Sequence, residues 1–231
     1  MYFRAALGVL LACFSTVACM GEPEDLGAAN LGALTARTEG TFLLRRDVTR
    51  DGFVVSPVNG GGARCADGHA DSACPVDEID FGGMNLSPAQ VGSLLGEVDG
   101  SLDAPRVIVR GRLGVSSSRR TAQVVVSDAW RTTTDAPVLG TFYEVATRAG
   151  LAESRVNSLD PVTPIAALAF DDTAVNLDLQ AIARREAATA TGVLVTGFQD
   201  AVRDARGEEV PCLRVQQVFV RVTSGSLSPM R

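Results

Sequence analysis

The chain of 231 residues has no lysine; its 21 basic residues are all arginine and face 27 Asp plus Glu. One histidine, one tryptophan and an aromatic share of 5% complete the list of scarcities. Each absence excludes something. A net charge of −6 leaves no electrostatic footprint for nucleic acid or an anionic membrane surface. With His69 as the only imidazole, metal motifs built on histidine pairs are impossible. The lack of lysine reflects genome composition rather than function. What is there, 46% apolar and 21% charged residues, describes a globular chain.

Arg4 and the apolar run from Ala5 to Val17 have the charge and length of a secretory leader, too short to span a bilayer. The run closes on Thr16-Val17-Ala18-Cys19, which resembles the lipobox of bacterial lipoproteins and marks Cys19 for lipidation. Leu10-Leu11-Ala12-Cys13 fits the aliphatic position better but leaves too few apolar residues upstream. Simple cleavage after Ala18, releasing a free secreted protein, is the competing outcome. Residues 1–18 are thus read as a signal peptide and 19–39 as a flexible tether rich in Gly, Ala and Asn. By resemblance to lipoprotein sorting, Met20 after the cysteine directs export to the outer membrane, facing the periplasm or the surface.

Comparing the chain with itself is informative. Gly40-Thr41-Phe42 recurs as Gly140-Thr141-Phe142, and Val58-Asn59 as Val156-Asn157. Asn85-Leu86-Ser87 recurs as Asn176-Leu177-Asp178, and Val107-Ile108-Val109-Arg110-Gly111 as Val193-Leu194-Val195-Thr196-Gly197. The words keep their order, which predicts two diverged β-rich repeats, residues 40–135 and 136–231. The expected fold class is α+β, each repeat an antiparallel sheet with one covering helix, with a copy folding alone or the two sharing a core or a paired sheet as open alternatives.

In the first repeat, strands are expected over 41–48, 53–58, 76–81, 106–113 and 123–130. Residues 106–113 alternate charged and apolar side chains, as a half-buried strand does. Ser87-Pro88-Ala89-Gln90 opens a helix with a capping box and proline in the first turn, and Val91, Leu94, Leu95 and Val98 share one face. The second helix is expected from an Asp178 cap to about Ala190, followed by strands over 193–198 and 213–222.

Cys65 and Cys74 bracket a short polar loop, and in an exported chain they form a natural disulfide. Pairing of either with Cys212 competes; otherwise Cys212 is a buried small hydrophobe. Asp67, His69 and Asp71 alternate in this loop, with Asp77, Glu78 and Asp80 downstream. Their spacing lacks the pattern of a calcium-binding loop and reads as a solvated acidic turn. Gly60-Gly61-Gly62 precedes no helix that could receive a phosphate, and Asp171-Asp172 reads as a solvated turn. Trp130 is read as a packing residue. No nucleophile elbow, Walker loop or dinucleotide fingerprint occurs. No catalytic residue, metal site or cofactor is assigned.

The Arg45-Arg46-Asp47 strand end, Val58-Asn59, Cys65-x-Asp67-Gly68, Cys74 followed by Val76, and Ile79-Asp80 together resemble an uncharacterised family of bacterial secreted lipoproteins carrying only a domain-of-unknown-function label. The resemblance covers residues 40–130 best and fades beyond. Where the family has an aromatic after the second cysteine, Pro75 stands here. The resemblance implies export and a cysteine loop; it carries over no functional residue. The expected function is that of a membrane-anchored exported lipoprotein, non-enzymatic, binding or structural in the cell envelope. Its partners are then the membrane through the lipid anchor and an envelope protein or small ligand, not nucleic acid. The alternative is a secreted inhibitor or sequestering module acting on a protease or envelope component.

Overall fold

The computed structural model describes residues 39–99, 105–132, 134, 137–170 and 175–225. Cys19, the leader and Asp171-Asp172 lie outside the described residues. In chain order the elements are β1 (Glu39–Arg46), β2 (Phe53–Pro57), β3 (Ala63–Arg64), β4 (Ala70–Asp71), β5 (Cys74–Val76) and β6 (Glu78–Asp80). A 3₁₀ turn (Gly82–Met84), α1 (Pro88–Gly96), β7 (Val107–Val115) and β8 (Ala122–Arg131) follow. Then come β9 (Thr141–Thr147), β10 (Leu151–Arg155), β11 (Thr163–Pro164), β12 (Ala167–Phe170), α2 (Leu177–Ala187), β13 (Val193–Arg203) and β14 (Glu209–Arg221).

Two α+β repeats with separate sheets do not form. The chain is mostly β: one 12-stranded sheet runs β11-β10-β9-β13-β14-β8-β7-β1-β2-β5, with β12 parallel to β14 and β6 parallel to β8. The sheet passes from one half to the other where β14 meets β8, through the pairs Val220–Arg131 and Arg221–Trp130. The helices are attachments rather than layers. α1 gives the core one buried residue, Leu94, behind the expected Ser87–Gln90 capping box. α2 gives Leu179, Ala183 and Ala187. Its cap is Asn176, whose side chain accepts from the Leu179 N–H at 2.9 Å, and not Asp178; it ends at Ala187.

The physical reason for one sheet lies in which faces are buried. In β7, Val107 and Val109 enter a core of the first half, while Ile108 between them enters a central core. In β13, Val193 and Val195 enter the core of the second half and Leu194 the central one. These strands are buried on both faces, so the expected half-buried alternation holds only beyond Val109. The central core takes Val58, Ile108 and Trp130 from the first half and Phe142, Val156, Leu194 and Phe219 from the second. Each helix packs on the outer core of its own half, and the opposite sheet face of each half is covered by the other half.

The ladders also correct the match between the two halves. Both Gly111 and Gly197 sit at register shifts, one between Arg110 and Gly111, the other between Thr196 and Gly197. Gly40 pairs with Gly111, whereas Thr141 pairs with Gly197. The Gly-Thr-Phe words are therefore one residue out of step, and Thr41 corresponds to Phe142. A one-residue slip exchanges faces. Phe42 packs in the first core and Phe142 in the central one.

Residues 76–81 likewise divide in two: β5 pairs with β2 and β6 runs beside β8. Cys65 and Cys74 form the local disulfide, and Cys212 is free and buried. The bridge is anchored on the sheet, since Cys74 pairs with Val55.

Candidate binding groove

Between the two halves lies an open groove of about 1110 Å³, walled by β1, β7 and β8 on one side and β9, β10 and the segment after β10 on the other. A reciprocal latch joins the halves here, and its Thr41, Val156 and Asn157 line the floor of the groove. The Asn157 carboxamide accepts from the Thr41 N–H at 2.9 Å and donates to the Thr41 carbonyl at 2.7 Å. The Asn59 carboxamide accepts from the Phe142 N–H at 2.7 Å and donates to the Phe142 and Val156 carbonyls at 2.9 and 2.8 Å. Each asparagine thus completes the edge of the other half. Both have positive φ, 62° and 58°, a conformation that asparagine tolerates better than most residues.

Arg110 is aimed by the bulge that follows it. A Cβ at Gly111 would lie 2.2 Å from the Val125 carbonyl oxygen, so only glycine lets the strands close there. Arg110 reaches across the groove to Glu144 at 2.7 Å, bonds the Thr41 hydroxyl at 3.3 Å, and lies 5.0 Å over the Trp130 ring. Trp130 is accordingly a packing residue with a cation on its face. Asp128 pairs with Arg221 across the β8–β14 seam. Burial first, then the positive charge of Arg110, lowers the pKa of Arg221.

Above this floor the walls carry Arg112, Arg148 and Arg155, the hydroxyls of Ser127, Ser154 and Ser158, and the carboxylates of Glu39 and Asp160. Arg155 pairs with Asp160 at 3.7 Å. Among the described residues, Arg112 and Arg148 are exposed and have no carboxylate partner.

A smaller cavity of about 110 Å³ adjoins the groove at Arg155 and Asp160. Tyr143, Glu153, Thr163 and Gln199 also line it. Glu153 is 1% exposed, and its Oε1 accepts from the Gln199 amide. Its Oε2 is buried and has no hydrogen-bond partner among the described residues. Burial pushes the Glu153 carboxyl above the usual carboxylate range. Burial, and secondarily the Glu153 charge, raises the Tyr143 phenol. The Cys212 thiol is raised chiefly by burial, which makes it a poor nucleophile.

The acidic residues of the cysteine loop do not gather. Asp67 takes the His69 N–H, which lowers its pKa, and the two side chains are largely exposed at 3.4 Å. Asp77 accepts from the Ala122 N–H at 3.0 Å in the sheet. Among the described residues no three His, Cys, Asp or Glu side chains converge on a common point. Sequence reasoning missed Glu153 and Gln199. The available signal was Glu153 itself, an acid in step with Leu151 in a short strand pattern.

A family model described as a domain of unknown function, DUF6748, matches residues 49–225. The chain belongs to that family. The DUF6748 match runs through both halves, further than the expected resemblance over residues 40–130, and it takes in the groove walls other than β1. No curated protein and no solved structure matches the chain.

Proposed function

We propose that this DUF6748 protein is a non-enzymatic, exported binding protein, held to the cell envelope by lipid on Cys19, whose groove takes an anionic ligand. The single observation that carries the reading is that Arg112 and Arg148, which have no carboxylate partner among the described residues, stand on the walls of an open groove between the halves. Guanidinium forks match carboxylate and phosphate oxygens in a bidentate manner, and the neighbouring serine hydroxyls supply further donors. Arg110 is held by Glu144 and serves the floor rather than the ligand. The leader and the Cys19 lipobox supply the address, and the lipid supplies the membrane contact.

The test is a titration of the protein with di- and tricarboxylates and with inorganic phosphate at fixed ionic strength, followed by NMR. Saturable shifts at groove residues, weakened about tenfold or more in Arg112→Ala/Arg148→Ala, are expected. Equal affinity in the double variant overturns the groove reading. Intact mass of the exported protein reports the anchor: loss of residues 1–18 with added acyl mass, abolished by Cys19→Ser.

A further inference from the structure

The Gly60-Gly61-Gly62 run does not line the groove, but it begins directly after one arm of the latch. Asn59-Gly60 is the one Asn-Gly step in the sequence. An asparagine in that setting carries its own reaction partner. The Gly60 backbone nitrogen can attack Asn59 Cγ, because glycine has no Cβ to obstruct the approach. The N–Cγ bond forms, the Cγ–Nδ2 bond breaks, and Nδ2 leaves as ammonia with the Gly60 amide proton. The resulting cyclic imide takes up one water and opens to aspartate or, through its other carbonyl, to isoaspartate. The reaction needs no oxidant, metal or second protein.

Docking of the halves holds this reaction back. Asn59 Oδ1 accepts from the Phe142 N–H, and Nδ2 donates to the Phe142 and Val156 carbonyls. All three bonds direct the carboxamide at the other half and away from its own chain, so Cγ cannot turn onto the Gly60 nitrogen until they part. Gly60 is exposed with φ 76°: the turn accounts for the glycine, and water reaches its backbone. The second half holds a counterpart. Leu44 pairs with Val107 and Val145 with Val193, each partner four residues before its bulge glycine. Val55 pairs with Leu44 as Glu153 pairs with Val145, so Val55 corresponds to Glu153 and, four residues on, Asn59 to Asn157. Leu113 and Gln199 correspond as well, each two residues past its bulge glycine. Asn157 makes the matching bonds to Thr41 but is followed by Ser158, whose side chain hinders the same attack. An asparagine stands at both places, and a reactive successor at only one.

We infer that Asn59 is a deamidation site gated by the docking of the two halves, and that its conversion makes their parting one-way. The open fraction alone reacts, so local opening of the latch sets the rate. The product carboxylate offers acceptor oxygens only. It faces the Phe142 and Val156 carbonyl oxygens with no hydrogen to share, and of the three bonds only that from the Phe142 N–H can re-form. Isoaspartate also lengthens the backbone by one atom at the latch. Either product leaves the Asn157 arm to hold the junction. Thr41, Val156 and Asn157 belong to both latch and groove floor, so a converted protein has a looser groove. Arg112 and Arg148 take no part in this chemistry, so the anion reading can fail without it, and it without the anion reading.

The experiment incubates the full chain in mildly alkaline buffer made with heavy-oxygen water and follows Asn59 by peptide mass mapping, since each conversion leaves a heavy oxygen at residue 59. Native protein should convert at least about tenfold more slowly than protein unfolded in guanidinium chloride, where Asn157 should lag behind Asn59. Asn157→Ala weakens the opposite arm of the latch and should raise native conversion at Asn59 about tenfold. If Asn157→Ala fails to fold, guanidinium below the unfolding transition replaces it: the Asn59 rate should climb before circular dichroism changes. Asn59→Asp reproduces one product directly and should lower Tm, up to loss of folding. A native rate equal to the unfolded one, a native rate indifferent to the perturbation of the latch, or an Asn59→Asp protein as stable as the wild type overturns the proposal.

Discussion

The two halves of the sheet solve the same problem with different materials. The first half closes its outer strands with a disulfide, tying Cys65 to the β5 residue Cys74, and draws only one buried residue from its helix. The second half has no such bridge; its helix puts Leu179, Gln180, Ala183 and Ala187 against the sheet. Shared features mark what the architecture requires: the bulge glycines Gly111 and Gly197, and the asparagines Asn59 and Asn157 that complete one another's edges. Differences mark where function can enter. Leu43 pairs with Ile108 in the first half, and at the corresponding place Glu144 pairs with Leu194 and reaches Arg110. Val55 and Leu113 become Glu153 and Gln199. The lesson is that the groove and its side cavity arise from substitutions on one half of a nearly matched frame.

The comparison breaks most readily at the glycines. A Cβ at Gly111 would meet the Val125 carbonyl oxygen at 2.2 Å, and one at Gly197 would meet that of Arg214 at 2.2 Å. Both contacts are to backbone, which cannot swing aside. Gly111→Ala and Gly197→Ala should each cost at least roughly 3 kcal/mol by chemical denaturation, the top of the range for overpacking. A large effect at one glycine and none at the other would show that the two bulges are not equivalent.

Next in size is the asparagine latch. Asn59→Ala and Asn157→Ala each leave backbone groups of the opposite half unpaired and force alanine into positive φ, for a combined loss of about 3 kcal/mol each. The glycine variants at the same positions relieve the backbone and isolate the hydrogen bonds. Near-equal losses at 59 and 157, with a double variant less costly than the sum, would establish that the latch acts as one unit.

The smallest effect sharpens the contrast between the halves. Cys65→Ser/Cys74→Ser opens a ten-residue ring and should lower stability by about 2.5–3 kcal/mol on the chain-entropy account. Cys212→Ala removes only a buried thiol from the second half and should cost about 1 kcal/mol. Hydrogen exchange should show β2 and β5 opening first after reduction. Equal opening of β9 and β10 would mean that the continuous sheet carries the loss to both ends.

Much of the local structure was legible. Ser87-Pro88-Ala89-Gln90 specifies a helix start because cap, proline and capping box all act within four residues. Cys65 and Cys74 were readable because few residues separate them. Asn176 was overlooked in favour of Asp178 because both residues are cap formers and only the backbone decides which one carries extended angles. The Gly-Thr-Phe words misled by one position, since a match of three letters contains no information about ladder register. Glu153 was invisible as a buried carboxyl because its partner Gln199 comes from another strand.

What the sequence by itself determined is therefore short-range: the α1 capping box, the Cys65–Cys74 loop and the apolar runs over 107–109 and 193–195. Tertiary structure decided what those runs face. An apolar strand records that it must be buried but not by what, and a helix, a second sheet or the other half of the same sheet would all satisfy it. Here the two halves cover one another. That choice sends Phe42 and Phe142 to different cores, brings Asn59 and Asn157 into reciprocal bonds, and leaves Arg110 facing Glu144 across a groove. Each of these contacts joins residues far apart in the chain, and their energies depend on a partner that no local pattern contains.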